Sequence, residues 1–406
     1  MFRLSTLLRH RYLSSVMLSM LFSQCGTWIR NYVALLAVME RSGGDVFSIA
    51  LISVAEYAPL FAFSIIGGAL ADRWRPKRTI VSADLLAALS LAAICGLLAA
   101  GLWEALWAAV LVSSILSQVA SPAGMKLFQR HVSASEAPAA MSLLQTVMSA
   151  FMIAGPALGV LVYRTAGASF GLLLAGVAFL CSALSLLAIP ADTKHDARTE
   201  TQSRSLASDI ADGLRYVRGR TILLRLSLSF GAVGAGVGLI TPLGVFVVTE
   251  RLDLPATAMP WLSIPYGAGE LIGGVAAFAI AAKLGPGRML LAGLLLDGIG
   301  VLLMGQARDI AFAAVIQFAI AFGQPFIFAG NQSLSMMHTD PAYLGRVSGI
   351  RTPIMTGAML AAMSVAPLLA AWLSLSVIYA IAACTFAIGA VIAAPAVRSS
   401  TQPKQT

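Results

Sequence analysis

The sequence predicts an all-α membrane protein: twelve transmembrane helices in two six-helix halves, with both termini in the cytoplasm. Three observations carry that prediction. Hydrophobic residues make up 58% of the 406-residue chain and charged residues only 11%. Apolar runs of the length needed to cross about 30 Å of hydrocarbon recur from end to end. Lys and Arg collect in alternate loops. A chain this apolar cannot hide its nonpolar surface as a water-soluble globule, so lipid is its main solvent.

The runs fall at 14–39, 46–71, 79–100, 102–123, 141–163 and 169–189, and then at 222–249, 259–282, 289–306, 310–332, 348–372 and 375–396. This divides the chain into a first half (1–189), a polar central loop (190–221), a second half (222–396) and a short tail (397–406). Arg3, Arg9 and Arg11 before the first run could belong to a secretory leader. However, the apolar stretch continues past Cys25 to Met39, no small-x-small cleavage pattern appears, and Gln24 before Cys25 does not suit lipoprotein processing. The first run is therefore expected to stay as a helix.

Orientation follows from the basic residues. With the N-terminus inside, the cytoplasmic segments hold Arg3 to Arg11, Arg73 to Arg78, Lys126, Arg130, Lys194 to Arg220, Lys283, Arg288, Arg346, Arg398 and Lys404. The outer loops hold only Arg41, Arg164, Arg251 and Arg308. Anchoring against anionic headgroups accounts for the net charge of +9 without a nucleic-acid partner.

Cys25, Cys95, Cys181 and Cys384 all fall inside runs without ligand spacing and read as small apolar fillers. His10, His131, His195 and His338 lie in loops or at helix ends. The sequence has no zinc-binding helix motif, no Gly-x-Ser-x-Gly and no phosphate loop, so no enzyme, metal or cofactor is expected. Within the central loop, the part through Arg204 reads as a linker. Beyond it Leu206, Ile210, Leu214 and Val217 recur at helical spacing, with Asp209, Asp212, Arg215 and Arg218 on other faces. That pattern predicts a short amphipathic helix at the cytoplasmic membrane surface.

Three segments carry a family resemblance. "GGALADRWRPKR", Gly67 to Arg78, resembles the Gly-x-Leu-Ala-Asp-Arg loop signature of the major facilitator superfamily. "GPALG", Gly155 to Gly159, is similar to the core of the motif associated with that superfamily's exporters. "SDIADGLRYVRG" is similar to the central loop of its drug-exporter branch, of the transmembrane secretion effector type. The sequence departs from the pattern at Arg75 and Pro76, at Phe151, and in the fourth run. There Gln118 and Ser121 are the polar residues and no Arg occurs. The second half keeps a trace of the signature in "AAKLGPGR", an internal repeat offset by 210 residues, as expected of secondary transporters with a midplane site. The resemblance implies the major facilitator fold. It also implies a cytoplasmic conformational latch formed by Gly67, Gly68, Asp72, Arg73, Arg78 and Asp84, and an exporter motif of Gly155, Pro156 and Gly159.

Ionisable groups inside apolar runs are costly and become functional candidates by default. Arg30 and Glu56 stand at equal depth on sequential runs, roughly 13 to 15 Å below the outer surface at 1.5 Å per residue, so an ion pair between them is expected. Glu270 reaches similar depth in the second half with no basic residue nearby in its run. It is the first candidate for proton coupling, ahead of Glu56 and Arg30. Asp297 is equally consistent with a packing hydrogen bond and with transport. Trp28, Asn31, Tyr32, Tyr57, Tyr266, Gln324, Phe326 and Asn331 are candidate cavity residues for an amphipathic substrate.

The expected function is secondary active export of small amphipathic molecules, drugs or secondary metabolites, by proton antiport with alternating access. Proton-coupled uptake and lipid flipping are the alternatives. The expected partners are a small-molecule substrate, protons and the lipid bilayer. The expected setting is the cytoplasmic (inner) membrane of a bacterium, with the protein a monomer.

Overall fold

Prolines, glycines and single acidic caps set where the helices begin. The computed structural model describes residues 11–71, 75–130, 137–189, 206–340 and 343–401, and every regular element among them is helical. The principal helices are α1 (Arg11–Arg41), α2 (Val46–Ala71), α3 (Pro76–Ala99), α4 (Ala105–Arg130), α5 (Ala137–Ser185), α6 (Leu206–Arg218), α7 (Thr221–Ile240), α8 (Pro260–Leu284), α9 (Pro286–Met304), α10 (Ile310–Met337), α11 (Leu344–Ala370) and α12 (Leu375–Thr401). Asp45 and Asp309 accept the Ser48 and Phe312 amides at 2.8 and 2.9 Å, so they satisfy donors that open α2 and α10. Pro76, Pro260 and Pro286 each start a helix where the missing N–H costs nothing.

Ten helices among the described residues are long and apolar enough to cross a membrane. Two differences from the expected spans have physical causes. First, α1 is a continuous 31-residue helix but is not one of the ten, because Ser19, Ser23, Gln24, Thr27, Arg30 and Asn31 lower its hydropathy. Second, the expected spans at 141–163 and 169–189 fall in one helical run, α5, except that the last residues of the second leave it in a 3-10 turn at Leu186–Ala188; the run is interrupted at Gly167 (φ 74°, ψ −175°). No L-side chain adopts that conformation readily, so the glycine makes the bend. Large apolar side chains left bare of protein, such as Phe278 (87% exposed) and Trp372 (88%), mark the lipid-facing surface.

The chain divides into two compact units, Met1–Gln202 and Ser203–Thr406, and the boundary lies inside the polar central loop. In the first unit α1 packs along both limbs of α5, α2 packs on α4, and α3 packs on α4 and α5. In the second, α7 packs on α11 and α12, α8 on α10, and α9 on α10 and α12. The helix pairs match when the limbs of α5 are set against α11 and α12, so the 210-residue repeat is visible in the packing of each unit. Glycines allow the close crossings of the second unit: a Cβ on Gly269 or Gly273 of α8 would stand 2.3 Å from the Phe318 or Phe322 carbonyl oxygen of α10.

The amphipathic helix α6 forms, but its apolar face meets protein. Ile210, Leu214 and Val217 pack with Val347 and Ile350 of α11. Beyond that face Tyr216 stacks on Tyr343 with ring centroids 4.1 Å apart. The Tyr216 hydroxyl and Arg220 each donate to Asp340 Oδ2 at 2.8 Å. Those two donors hold the Asp340 carboxyl below its ordinary range, Tyr216 foremost. The contribution to docking is thus present above about pH 4, the usual aspartate value, and is lost as pH falls through the depressed value. We expect protease nicking near residue 218 to stay slow from pH 8 to 5 and to quicken in more acid solution. Asp340→Asn should remove that acid dependence.

Candidate functional site

In the first unit the two expected charges meet through an intermediary. Arg30 of α1 is 1% exposed. Its Nε and Nη2 donate to the Asn31 Oδ1 at 2.9 and 2.6 Å, and Asn31 Nδ2 donates to Glu56 Oε1 of α2 at 2.6 Å. Among the described residues no ion pair joins Arg30 to Glu56 directly. Their charges still lie within Coulombic reach, and Arg30 Nη1 is buried without a hydrogen-bond partner. The arrangement holds a carboxylate near a guanidinium while leaving a neutral, displaceable amide between them. Tyr57, next to Glu56, is partly buried.

The exporter-type motif sits at the crossing of α1 and α5. A Cβ on Gly155 would lie 2.4 Å from the Trp28 ring, and one on Gly159 would lie 2.5 Å from Tyr32 Cβ and 3.0 Å from the Trp28 carbonyl oxygen. Trp28 and Tyr32, which stack with centroids 6.1 Å apart, therefore pack directly over those glycines. Pro156 lies between the two glycines, inside the helix. Trp28 and Tyr32 set the approach of two helices, in addition to any contact with a substrate.

Of the latch residues, Asp72 and Arg73 lie outside the described residues. Gly67 and Gly68 are in the last turns of α2, and Arg78 is exposed in the first turn of α3. Asp84 stands eight residues inside α3 and is 4% exposed. Its Oδ2 accepts the Ser182 hydroxyl at 2.6 Å, and Ser182 Oγ lies 2.8 Å from Ser19 Oγ. Asp84 thus bonds inward, to α5 and α1.

In the second unit Glu270 of α8 has Oε2 buried without a hydrogen-bond partner, and no cation pairs with it among the described residues. Tyr266, one turn earlier, is within Coulombic reach of both Glu270 and Asp297. Asp297 of α9 is fully buried with both oxygens unpartnered, so the packing hydrogen bond considered for it does not form. Gly323 of α10 makes the room it needs: a Cβ there would stand 2.4 Å from Asp297 Oδ1. Gln324 is partly buried beside that glycine. Phe326 is packed with Ala277 and Met289 among α8, α9 and α10.

Asn331 is fully buried. It donates to the Leu226 carbonyl at 3.1 Å and accepts from Arg351 Nη2. Arg351, 3% exposed on α11, also donates to Gln332 Oε1 at 3.2 Å and lies 5.4 Å from the Phe230 ring centroid. Sequence reasoning missed Arg351, although the signal was there, a basic residue three positions inside the run at 348–372. Each unit thus contains one buried guanidinium bonded to an asparagine amide, Arg30 with Asn31 and Arg351 with Asn331.

Membrane-length helices, lipid-facing apolar side chains and polar networks buried inside each unit define an integral membrane protein. The profile of the Major Facilitator Superfamily matches residues 16–350, and the chain belongs to that family. It is 23% identical over 347 residues to the MFS-type transporter YkuC of Bacillus subtilis, covering 82% of this chain and 80% of that one. It is 23% identical over 346 residues to the multidrug efflux pump Tap of Mycolicibacterium fortuitum, covering 82% and 84%. A variant of the nucleoside transporter NupG superposes with a TM-score of 0.77 over 97% of this chain and 100% of the other, at 12% identity. A bacterial homologue of the iron transporter ferroportin in its inward-facing state gives 0.73 over 96% and 99%, at 15% identity. The protein is therefore a multi-pass membrane transporter with the fold of this family, and transport, not enzymatic turnover, is its work.

Proposed function

We propose that the protein exports small amphipathic molecules across a bacterial cytoplasmic membrane by proton antiport. In this reading α1 and both limbs of α5 join the other membrane-length helices to give twelve crossings, with both termini inside. The observation that carries it is the pair of membrane-interior carboxylates Glu56 and Glu270, neither of which touches a cationic side chain among the described residues. A carboxylate so placed is costly to ionise and exchanges a proton with each change of access. Similarity to multidrug efflux pumps supports the outward direction. Glu56 and Glu270 take up protons from the outer side and release them inward as the substrate leaves. The loop signature with Asp72 and Arg73 acts as the latch that biases which side is open.

Proteoliposomes loaded with an amphipathic dye test the reading. An imposed pH gradient should drive dye movement, and Glu270→Gln, which mimics the protonated state and cannot cycle, should abolish it while dye exchange down its own gradient survives. Full pH-driven transport by the Gln variant would move the coupling role to Glu56. Dye movement with no dependence on the gradient in the unmodified protein would overturn antiport itself.

A further inference from the structure

A cavity of about 300 Å³ opens inside the first unit, lined by α1, α3, α4 and α5. Among the described residues, Asp84 contributes the cavity's one charged group, and no lysine, arginine or histidine lines it. Asp84 is 4% exposed and about 12 Å along α3 from Pro76, at 1.5 Å per residue. Its hydrogen bonds are directional. The Ser182 hydroxyl donates to Oδ2, which leaves Ser19 to donate to Ser182, so both hydroxyl dipoles point toward the carboxylate. Oδ1 has no hydrogen-bond partner among the described residues. When this carboxylate is ionised, one hydroxyl bonded to it and a second bonded to that one replace only part of its lost solvation, and a positive group in the cavity would supply the complement.

The rest of the wall specifies what carries that charge. Met20, Met125 and Met148 present soft, adaptable apolar surface, and Gln24 and Gln118 add neutral amides. One carboxylate among thioethers is a poor donor set for a metal ion, and no group of three His, Cys, Asp or Glu side chains that could hold one occurs among the described residues. The volume is about ten times the roughly 30 Å³ share of a water molecule and at the small end of ligand pockets, roughly 300 to 1,000 Å³.

We infer that this chamber binds a slender organic cation, with an ammonium head against Asp84 Oδ1 and its hydrocarbon among the three methionines. The inference rests on the exporter reading only for what the ligand is, a transported substrate; the site itself stands on the cavity. It gives Asp84 a ligand-binding role in place of a latch role.

The test uses the full chain in nanodiscs and two probes of nearly equal shape, phenethylammonium and the neutral 2-phenylethanol, with affinity measured by calorimetry. The cation should bind at least tenfold more tightly. Asp84→Asn should erase that preference, and Ser182→Ala should reduce it several-fold. Gly124 lies in the wall with open space where its Cβ would stand. Gly124→Leu should therefore fill the chamber and abolish binding of both probes at an unchanged melting temperature, and this variant carries the test if Asp84→Asn does not fold. Equal affinity for the two probes, a preference that survives Asp84→Asn, or undiminished binding by Gly124→Leu would each overturn the site. Cation binding without pH-driven dye transport would leave the site standing and remove the exporter reading. Gradient-driven transport with no cation preference would do the reverse.

Discussion

Gly159→Leu is expected to destabilise the first unit by about 1–3 kcal/mol or more, as overpacking of a filled contact does, and to abolish transport. The reason is what a side chain at that position meets: Tyr32 Cβ at 2.5 Å and the Trp28 carbonyl oxygen at 3.0 Å. Neither is the free end of a flexible group, so α1 has to move off α5. Gly155→Leu meets the Trp28 ring, which can be removed. Trp28→Ala should therefore restore much of the melting temperature lost in Gly155→Leu and little of that lost in Gly159→Leu. Equal rescue of both, or no loss in either, would show that the helices do not cross as closely as the structure places them. The outcome also bears on function. In this chain the exporter-type motif is a helix-crossing device, and transport should fail in step with the fit of α1 against α5, whatever the substrate.

How far the sequence reveals the molecule depends on whether a feature is local. Ten helices are legible because hydropathy is summed along the chain and needs no partner. The polar face of α1 keeps it below that measure, and the run at 14–39 is legible as a helix by its length; what Ser19, Ser23 and Gln24 are for shows only once the cavity they line is known. The equal depth of Arg30 and Glu56 is arithmetic on helix rise and brings them close. The amide between them depends on the side-chain conformation of Asn31, which no spacing rule encodes. Asp84 was legible as a charge near a loop signature, but its inward turn toward Ser182, 98 residues away, is a tertiary fact. Arg351 lies inside the run at 348–372 but only three positions from its end, where a basic residue resembles a headgroup anchor. Its burial against Asn331 and Phe230 is set by the packing of α7, α10 and α11. The face of α6 was read correctly as apolar and assigned to lipid, because the sequence does not say that α11 stands ready to cover it.

The Arg30, Asn31 and Glu56 network should give the other large effect. Asn31→Leu removes at one stroke the acceptor of two Arg30 donors and the donor to Glu56 Oε1. What remains is a guanidinium with Nη1 already lacking a partner and a carboxylate without its hydrogen bond. Breaking a buried charged contact from one side costs about 3–5 kcal/mol, so this variant should show the largest fall in melting temperature of any single change in α1. Glu56→Gln should be milder, because an amide at 56 can still accept from Asn31 Nδ2. Arg30→Gln with Glu56→Gln together should recover part of the loss caused by Arg30→Gln alone, giving a coupling energy within the range of about 0.5–3 kcal/mol seen for residues in one network. The decisive measurement is the same cycle repeated with leucine at 31. If the amide transmits the interaction, the coupling shrinks to the long-range Coulombic part, which salt in the reconstitution buffer barely screens because Arg30 is buried. If it is undiminished, Arg30 and Glu56 interact without Asn31, and the carboxylate is a fixed ion-pair partner with no proton to exchange.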